Sequence, residues 1–236
     1  MLVLKYIRLP YTFDVKRLQQ EVSLLTGESW LFHYQTMHYE GEWSAIPLRS
    51  VGGRPDDVII SPFEDAEYAD TIFLQRSNCF KEVLATFQCP IKAVRLLKLN
   101  AGSVIKEHRD AELCFEKGEV RIHIPIVTND KVAFLLDNEK FNLREGECWY
   151  MNFNLPHAIN NNSNAARIHL VIDAVVNEWV KNLFAQPGLH KKEIEEPGFG
   201  DDTKLQIIAQ LRLLNTETAN KLAEEMEASI NQLSGV

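Results

Sequence analysis

Apolar and polar positions change rhythm twice along the chain. In the first third, FDVKRLQQEVSLLT (13–26) sets Val15, Leu18, Val22 and Leu25 at helical spacing, with Asp14 near its start and Gly27 just past its end. NCFKEVLATF (78–87) gathers Phe80, Val83, Leu84 and Phe87 on one side and predicts a second helix lying on a sheet. Between Ile91 and Ala174 the rhythm becomes that of strands: AVRLLKL, EVRIHIPIV, KVAFLL, KFNL, ECWYMNF and ARIHLVIDA. Asn100-Ala101-Gly102, Thr128-Asn129-Asp130, Asp137-Asn138, Arg144-Glu145-Gly146 and Asn160 to Asn164 supply the turns between them. Short strands at this spacing predict a sandwich or barrel. The double-sheet jelly roll, which includes the cupins, fits best, giving a mainly β fold with flanking helices.

After Phe184 the texture changes again. QPGLHKKEIEEPGFGDD (186–202) reads as a linker, and two helical stretches follow. TKLQIIAQLRLL (203–214) aligns Leu205, Ile208 and Leu211, while TANKLAEEMEASINQL (218–233) aligns Leu222, Met226, Ile230 and Leu233. The expected organisation is therefore a domain over 1–185, followed by a linker and C-terminal helical hairpin over 186–236. The apolar stripes of such a hairpin pack on the parent domain or on a second subunit, so a homodimer through these helices is one expected arrangement.

The 236 residues, 45% of them hydrophobic, suffice for one sizeable core plus accessory elements. A net charge of -8 argues against a nucleic-acid partner, which would need clustered Lys and Arg. A small-molecule or protein substrate is the expectation. Cys79, Cys89, Cys114 and Cys148 show no C-x-x-C spacing, and Lys5 and Arg8 interrupt the apolar start MLVLKYIRLP, so no signal peptide is read there. Four reduced thiols in a cytoplasmic protein follow, with no run of about 18 apolar residues to span a membrane.

The chemistry concentrates in HRD (108–110) and LPH (155–157). On an extended segment, residues two apart point the same way, so His108 and Asp110 can converge on one ion. His157 follows a turn after the strand ECWYMNF, with Pro156 stiffening the chain before it. Taken singly, H-x-D is a weak signal and His157 fits a polar surface loop equally well. Together, two histidines and one carboxylate can cover one face of an octahedral ferrous ion and leave the other face open, as in non-haem iron oxygenases.

Two strands sharpen this reading. VRIHIPIV (120–127) and ARIHLVID (166–173) each place an Arg-x-His opposite an aliphatic row: Val120, Ile122, Ile124 and Ile126 in one, Ile168, Leu170 and Ile172 in the other. A half-solvated sheet would show the same alternation. If instead the aliphatic rows pack against helices, Arg121, His123, Arg167 and His169 line the barrel interior, where charge is costly unless an anion balances it. A dicarboxylate co-substrate would be such an anion. Guanidinium binds carboxylate through two parallel hydrogen bonds, and Arg167 is placed for the far carboxylate of 2-oxoglutarate, with His123 and Arg121 as helpers.

The stretch HRDAELCFEKGEVRIHIPI…LREGECWYMNFNLPHAINNNSNAARIHLVIDA resembles the aspartyl/asparaginyl beta-hydroxylase family of Fe(II)/2-oxoglutarate dioxygenases, which have a double-stranded β-helix fold. It is most similar to the small bacterial branch that includes proline cis-4-hydroxylase. The resemblance covers about residues 91–175, and WSAIPLRSVGG (43–53) is similar to a Trp-to-Arg segment near the start of that branch. It implies that His108 and His157 ligate Fe(II) and that Arg121, His123 and Arg167 contact 2-oxoglutarate. Vertebrate-type members lack the carboxylate ligand, whereas Asp110 completes the set as in the small bacterial enzymes. A serine that contacts 2-oxoglutarate in vertebrate-type members corresponds to Leu97.

The implied reaction consumes O2 and 2-oxoglutarate, hydroxylates an unactivated carbon and releases succinate and carbon dioxide. A free amino acid or related small molecule is the expected substrate. Arg49 would be the cation for its carboxylate and Trp43 an apolar wall, although an ordinary loop arginine and core tryptophan fit the same pattern. The alternatives are hydroxylation of a side chain within a peptide, protein or carrier-bound substrate, and a cupin-like protein that binds a metal or small acid without oxygen chemistry.

Overall fold

The computed structural model describes residues 2–25, 30–34, 36–61, 65–195, 201–214, 216, 219–224 and 227–228. Contacts divide the chain into two units, Met1–Ile194 and Glu195–Val236. In the first unit the elements run β1 (Leu2–Thr12), α1 (Val15–Leu24), β2 (Leu31–Phe32), β3 (Tyr39–Glu40), β4 (Trp43–Val51), β5 (Tyr68–Asp70), α2 (Ile72–Arg76), α3 (Asn78–Leu84), β6 (Ile91–Leu99) and β7 (Val104–His108). They continue through β8 (Glu119–Val127), β9 (Val132–Leu136), β10 (Glu139–Phe141), β11 (Glu147–Met151), β12 (His157–Asn161), β13 (Arg167–Val175), α4 (Glu178–Ala185) and β14 (His190–Glu195).

Among the described residues the strands form two antiparallel sheets. One has nine strands in the order β14-β1-β11-β8-β13-β6-β4-β2, with β5 added beside β4; the other has the order β10-β9-β12-β7-β3. Alternation along the large sheet divides the interior into two layers. Ile122, Ile124, Leu170 and Ile172 face outward onto Leu18 and Val22 of α1, Phe80 and Val83 of α3, and Val180, Leu183 and Phe184 of α4. The opposite face contributes Tyr6, Trp43, Ala45, Leu97, Leu99, Trp149, Met151 and Val171, which pack against Ile105, Val132, Phe134, Leu136, Phe141 and Ile159 of the small sheet. Mainly β architecture with two antiparallel sheets over a shared core is thus present as expected.

The helices that cover the large sheet are capped by short polar side chains. Asp14 accepts from Arg17 N–H at 3.1 Å, Ser77 from Phe80 N–H at 3.1 Å and Asn177 from Val180 N–H at 3.0 Å. The two helices expected at 13–26 and 78–87 are present as α1 and α3. Gly27, expected just past α1, lies outside the described residues.

Several elements differ from the sequence expectation. Residues 2–12 form a long strand of the large sheet, in which Lys5 is buried and ion-paired to Asp137 at 3.0 Å and Glu139 at 3.1 Å. The stretch 43–51 is a strand between β2 and β6 rather than a loop, because its two faces meet the two cores. Part of the expected linker 186–202 is β14, which lies beside β1, and residues 196–200 fall outside the described residues.

In the second unit α5 spans Asp201–Leu214, and residues 219–224 and 227–228 are also helical. Arg212 pairs with Glu227 at 3.1 Å and Glu224 at 3.8 Å, so these two stretches face each other. Their apolar stripes differ from the expectation: Ile208, Ala219 and Ala223 are buried, whereas Leu205 and Leu222 are exposed. Met226, Ile230 and Leu233 lie outside the described residues. The four cysteines are unpaired, and no described helix is long and apolar enough to cross a membrane.

Candidate metal centre

His108 closes β7 and His157 opens β12, and the two are direct partners in the antiparallel register of the small sheet. Their rings stand 4.2 Å apart between centroids. His108 Nδ1 lies 2.8 Å from the Lys106 carbonyl and His157 Nδ1 lies 3.0 Å from the Leu155 carbonyl. A carbonyl oxygen can only accept, so each Nδ1 carries the hydrogen and each Nε2 keeps its lone pair for a ligand. Burial, followed by the neighbouring His108, pushes His157 down to about 4, which keeps its imidazole neutral and able to donate to a metal near neutral pH.

Asp110 lies two residues beyond β7, its backbone N–H held by Phe153 O at 2.9 Å. Its Oδ1 is 3.7 Å from His108 Nε2. Ligand atoms of His108, Asp110 and His157 all lie within 4.8 Å of one another, the separation one ion could span. Burial alone would raise the Asp110 pKa, but Arg121 and then His157 and His108 outweigh it and hold the carboxylate below its ordinary range.

The inward Arg-x-His residues are buried as the alternation predicted, but they divide into two groups. Arg121 donates from Nε to Asp173 at 2.6 Å and from Nη2 to the same carboxylate at 3.2 Å, and its Nη1 donates to Asp110. The structure therefore commits Arg121 to two carboxylates rather than leaving it open for a co-substrate. Arg167 is different. It is 2% exposed, forms no ion pair among the described residues, and burial pushes its guanidinium down to about 9.

Arg167 Nη2 lies 2.8 Å from His169 Nδ1. A guanidinium only donates, so His169 accepts there and its Nε2 carries the hydrogen. Among the described residues, His169 Nε2–H and Arg167 Nε–H are then buried donors without partners, and His123 Nε2 is likewise unpartnered. Burial and the adjacent Arg167 push both histidines well below their ordinary values. His123 stacks on Phe153 with centroids 4.8 Å apart and its Nδ1 lies 3.3 Å from His169 Nδ1. This interior is short of negative charge in the way an anion site is.

Beside Asp110 opens a cleft of about 410 Å³ whose lining includes His33, Tyr34, Trp43, Arg95, Leu97 and Arg121. Trp43 stacks face to face on His33, with centroids 3.5 Å apart and planes at 9°, and its buried Nε1 has no acceptor. Burial and then Arg95 push His33 down to about 3. Arg49, expected as the cation for the substrate carboxylate, is not among the lining residues. It is held in the sheet by Asp70 at 2.5 Å, the Tyr68 carbonyl at 2.7 Å and the Ile91 carbonyl at 3.1 Å. The register shift between Pro47 and Arg49 gives the reason, because it breaks the alternation that would have turned residue 49 inward.

The cation that does line the cleft is Arg95, which sequence reasoning passed over. Its Nη2 reaches Asp173 at 3.0 Å, its Nε has no partner, and burial outweighs the attraction of Asp173 to lower its pKa. The signal was available, since Arg95 shares the parity of Leu97 and Leu99, and Asp173 that of Arg167 and His169. His33 and Tyr34 precede β3 without a periodic pattern, and nothing in the sequence marked them.

Two imidazoles and one carboxylate converging between two antiparallel sheets define a mononuclear, non-haem type of donor set. Residues 12–176 match the aspartyl/asparaginyl beta-hydroxylase family, and the chain belongs to it. It is 27% identical over 164 residues to L-proline cis-4-hydroxylase of Rhizobium meliloti (strain 1021), an overlap covering 68% of this chain and 57% of that enzyme. Among solved structures, the non-heme alpha ketoglutarate dependent epimerase SnoN from nogalamycin biosynthesis covers 84% of this chain and 92% of its own, at 13% identity and a TM-score of 0.47. The non-heme monooxygenase ThoJ in its nickel complex covers 74% of each chain at 12% identity and a TM-score of 0.42.

Proposed function

We propose that the chain is an Fe(II)- and 2-oxoglutarate-dependent hydroxylase of a free amino acid or a closely related small carboxylate. The observation that carries this reading is the pairing of a compact His108, Asp110 and His157 donor set with a fully buried Arg167 that has no carboxylate partner among the described residues. Two neutral nitrogens and one anionic oxygen suit a ferrous ion with open positions. Iron bound there would supply the activation of dioxygen needed to oxidise an unactivated carbon.

The protein's own residues supply position and charge balance. Arg167 would take the far carboxylate of 2-oxoglutarate through its paired N–H groups, with His169 Nε2–H as a further donor. Arg121 holds Asp110, and Phe153 packs against His123 and, with ring centroids 4.7 Å apart, His157, keeping that side of the centre dry. In the cleft, Arg95 replaces Arg49 as the anchor for a substrate carboxylate, because its Nε is unspent and its burial is under-compensated. Trp43 and His33 form the flat wall beside it. The relative in Rhizobium meliloti, named for action on L-proline, supports a free amino acid as substrate.

The test is aerobic turnover with Fe(II) and 2-oxoglutarate across a panel of free L-amino acids and their N-acetyl and amide derivatives. Succinate release stimulated by a free acid, with one oxygen atom gained by that acid, is the expected result. Stimulation only by blocked or peptide forms would overturn the free-acid reading in favour of a peptide or carrier-bound substrate.

A further inference from the structure

The three candidate metal donors are not held in the same way. His108 and His157 sit opposite each other on paired strands, and each imidazole is fixed by a backbone carbonyl at its own Nδ1. Asp110 lies outside any strand, and a carboxylate on a loop can rotate about two side-chain bonds. Apart from His108 Nε2 at 3.7 Å, its charged partner is Arg121. Whatever fixes Arg121 therefore fixes Asp110.

Asp173 does so. It is 1% exposed, lies directly across from Arg121 in the register of β13 and β8, and takes both Nε and Nη2 of that side chain. A guanidinium is planar, so two bonds on one edge set the direction of Nη1, the group that donates to Asp110. Arg95 reaches Asp173 Oδ2 at 3.0 Å from β6, the strand on the other side of β13. Charges alternate along the row: Arg95 positive, Asp173 negative, Arg121 positive, Asp110 negative.

We infer that Asp173 is a positioning residue of the metal site, acting through Arg121 to orient the Asp110 carboxylate, with Arg95 clamping Asp173 from the far side. This rests on the reading of His108, Asp110 and His157 as metal donors. Neutralising Asp173 leaves two buried guanidinium groups without their shared anion and frees Arg121 to compete with the metal for both Asp110 oxygens. Partners at this remove from a metal tune its affinity by about 10- to 100-fold.

Mn(II) binding to the apo-protein, followed anaerobically by calorimetry and by the Mn(II) paramagnetic resonance spectrum, separates this from a purely structural role. Asp173→Asn, which keeps the shape and removes the charge, is expected to raise the Mn(II) Kd about 10- to 100-fold and to broaden the bound-ion spectrum. Arg121→Lys, which keeps the charge but not the two-edged geometry, is expected to raise it by about 10-fold or more, and decides the matter if Asp173→Asn does not fold. If the folded variants lose thermal stability but bind Mn(II) within threefold of the wild type, Asp173 is structural and the inference fails. If the wild type binds Mn(II) no better than His157→Ala, the metal-site reading has failed first.

Discussion

Replacing Arg167 by methionine should make the apo-protein more stable and blind to its co-substrate, a pair of opposite effects that a structural arginine would not show. The guanidinium is fully buried, and burial brings its pKa down from the ordinary arginine range to about 9. Arginine does not deprotonate in proteins, so that fall registers as a cost of holding the charge. At about 1.4 kcal/mol per tenfold change it amounts to about 5 kcal/mol, an upper figure before relaxation and loss of packing. A net gain of about 1–3 kcal/mol in the apo-protein is therefore expected, or roughly 2–4 °C in Tm per kcal/mol for a chain of this size. On the proposed function, bound 2-oxoglutarate would supply the missing negative charge in the wild type, and removing one partner of such a buried pair costs about 2–5 kcal/mol, a loss of about 30-fold or more in affinity. The assay is thermal unfolding with Mn(II) and increasing 2-oxoglutarate. At about 100 times the wild-type Kd the wild type gains about 2.7 kcal/mol, and Arg167→Met should gain no more than about 0.9 kcal/mol at the same concentration. A variant that is less stable as the apo-protein yet keeps the 2-oxoglutarate-dependent shift would refute the reasoning.

Three further outcomes follow from the same geometry. At saturating metal, which offsets any loosening of Asp110 through the lost Arg95 clamp on Asp173, Arg95→Met should raise KM for substrate by about tenfold or more while changing that for 2-oxoglutarate little, whereas Arg49→Ala should cost stability and leave both constants alone; equal effects of Arg49→Ala and Arg95→Met on substrate KM would contradict the cleft assignment. His157 is held down at about 4 and His33 at about 3, chiefly by burial, so the unfolded chain takes up protons near 6.5 that the folded protein refuses. Stability should accordingly be full above pH 6.5 and fall as pH drops from 6.5 toward 4, by about 3 kcal/mol for His157 alone; urea midpoints that stay flat between pH 7 and 5 would count against it. Gly146 has a φ of +77°, and a Cβ there would lie 2.6 Å from the Phe13 carbonyl oxygen and 2.9 Å from Val15 Cγ2. Gly146→Ala should therefore cost about 2–4 kcal/mol, read as a drop in Tm, and an unchanged Tm would show that the β11 approach to α1 is looser than described.

Much of the layer that carries the chemistry was legible in the strand alternation. The alternation of Ile122, Ile124, Leu170 and Ile172 fits either a half-solvated sheet or a helix-facing row; the structure has the second, and it buries the opposite-facing Arg121, His123, Arg167 and His169. His108, Asp110 and His157 were legible as candidates because spacing on strands brings them together, and they do converge. Arg49 went wrong for a local reason, since a one-residue shift in β4 is invisible to a period-two pattern and turns the side chain toward Asp70. Arg95 and Asp173 had the right parity, but a single charge in an apolar strand gave no sign of its partner across the sheet. Strand β1 was obscured because Lys5 interrupts its apolar run, and only the three-dimensional pairing with Asp137 and Glu139 explains a lysine there.

The most direct test of the central claim is an anaerobic titration of the apo-protein with Fe(II) followed by 2-oxoglutarate, read by visible absorption. A charge-transfer band between iron and the keto acid, saturating with one equivalent of each, absent in His108→Ala and shifted to much higher 2-oxoglutarate concentration in Arg167→Met, is the predicted result. A wild-type protein that binds neither component, or that shows the same spectrum after His108→Ala, would contradict it.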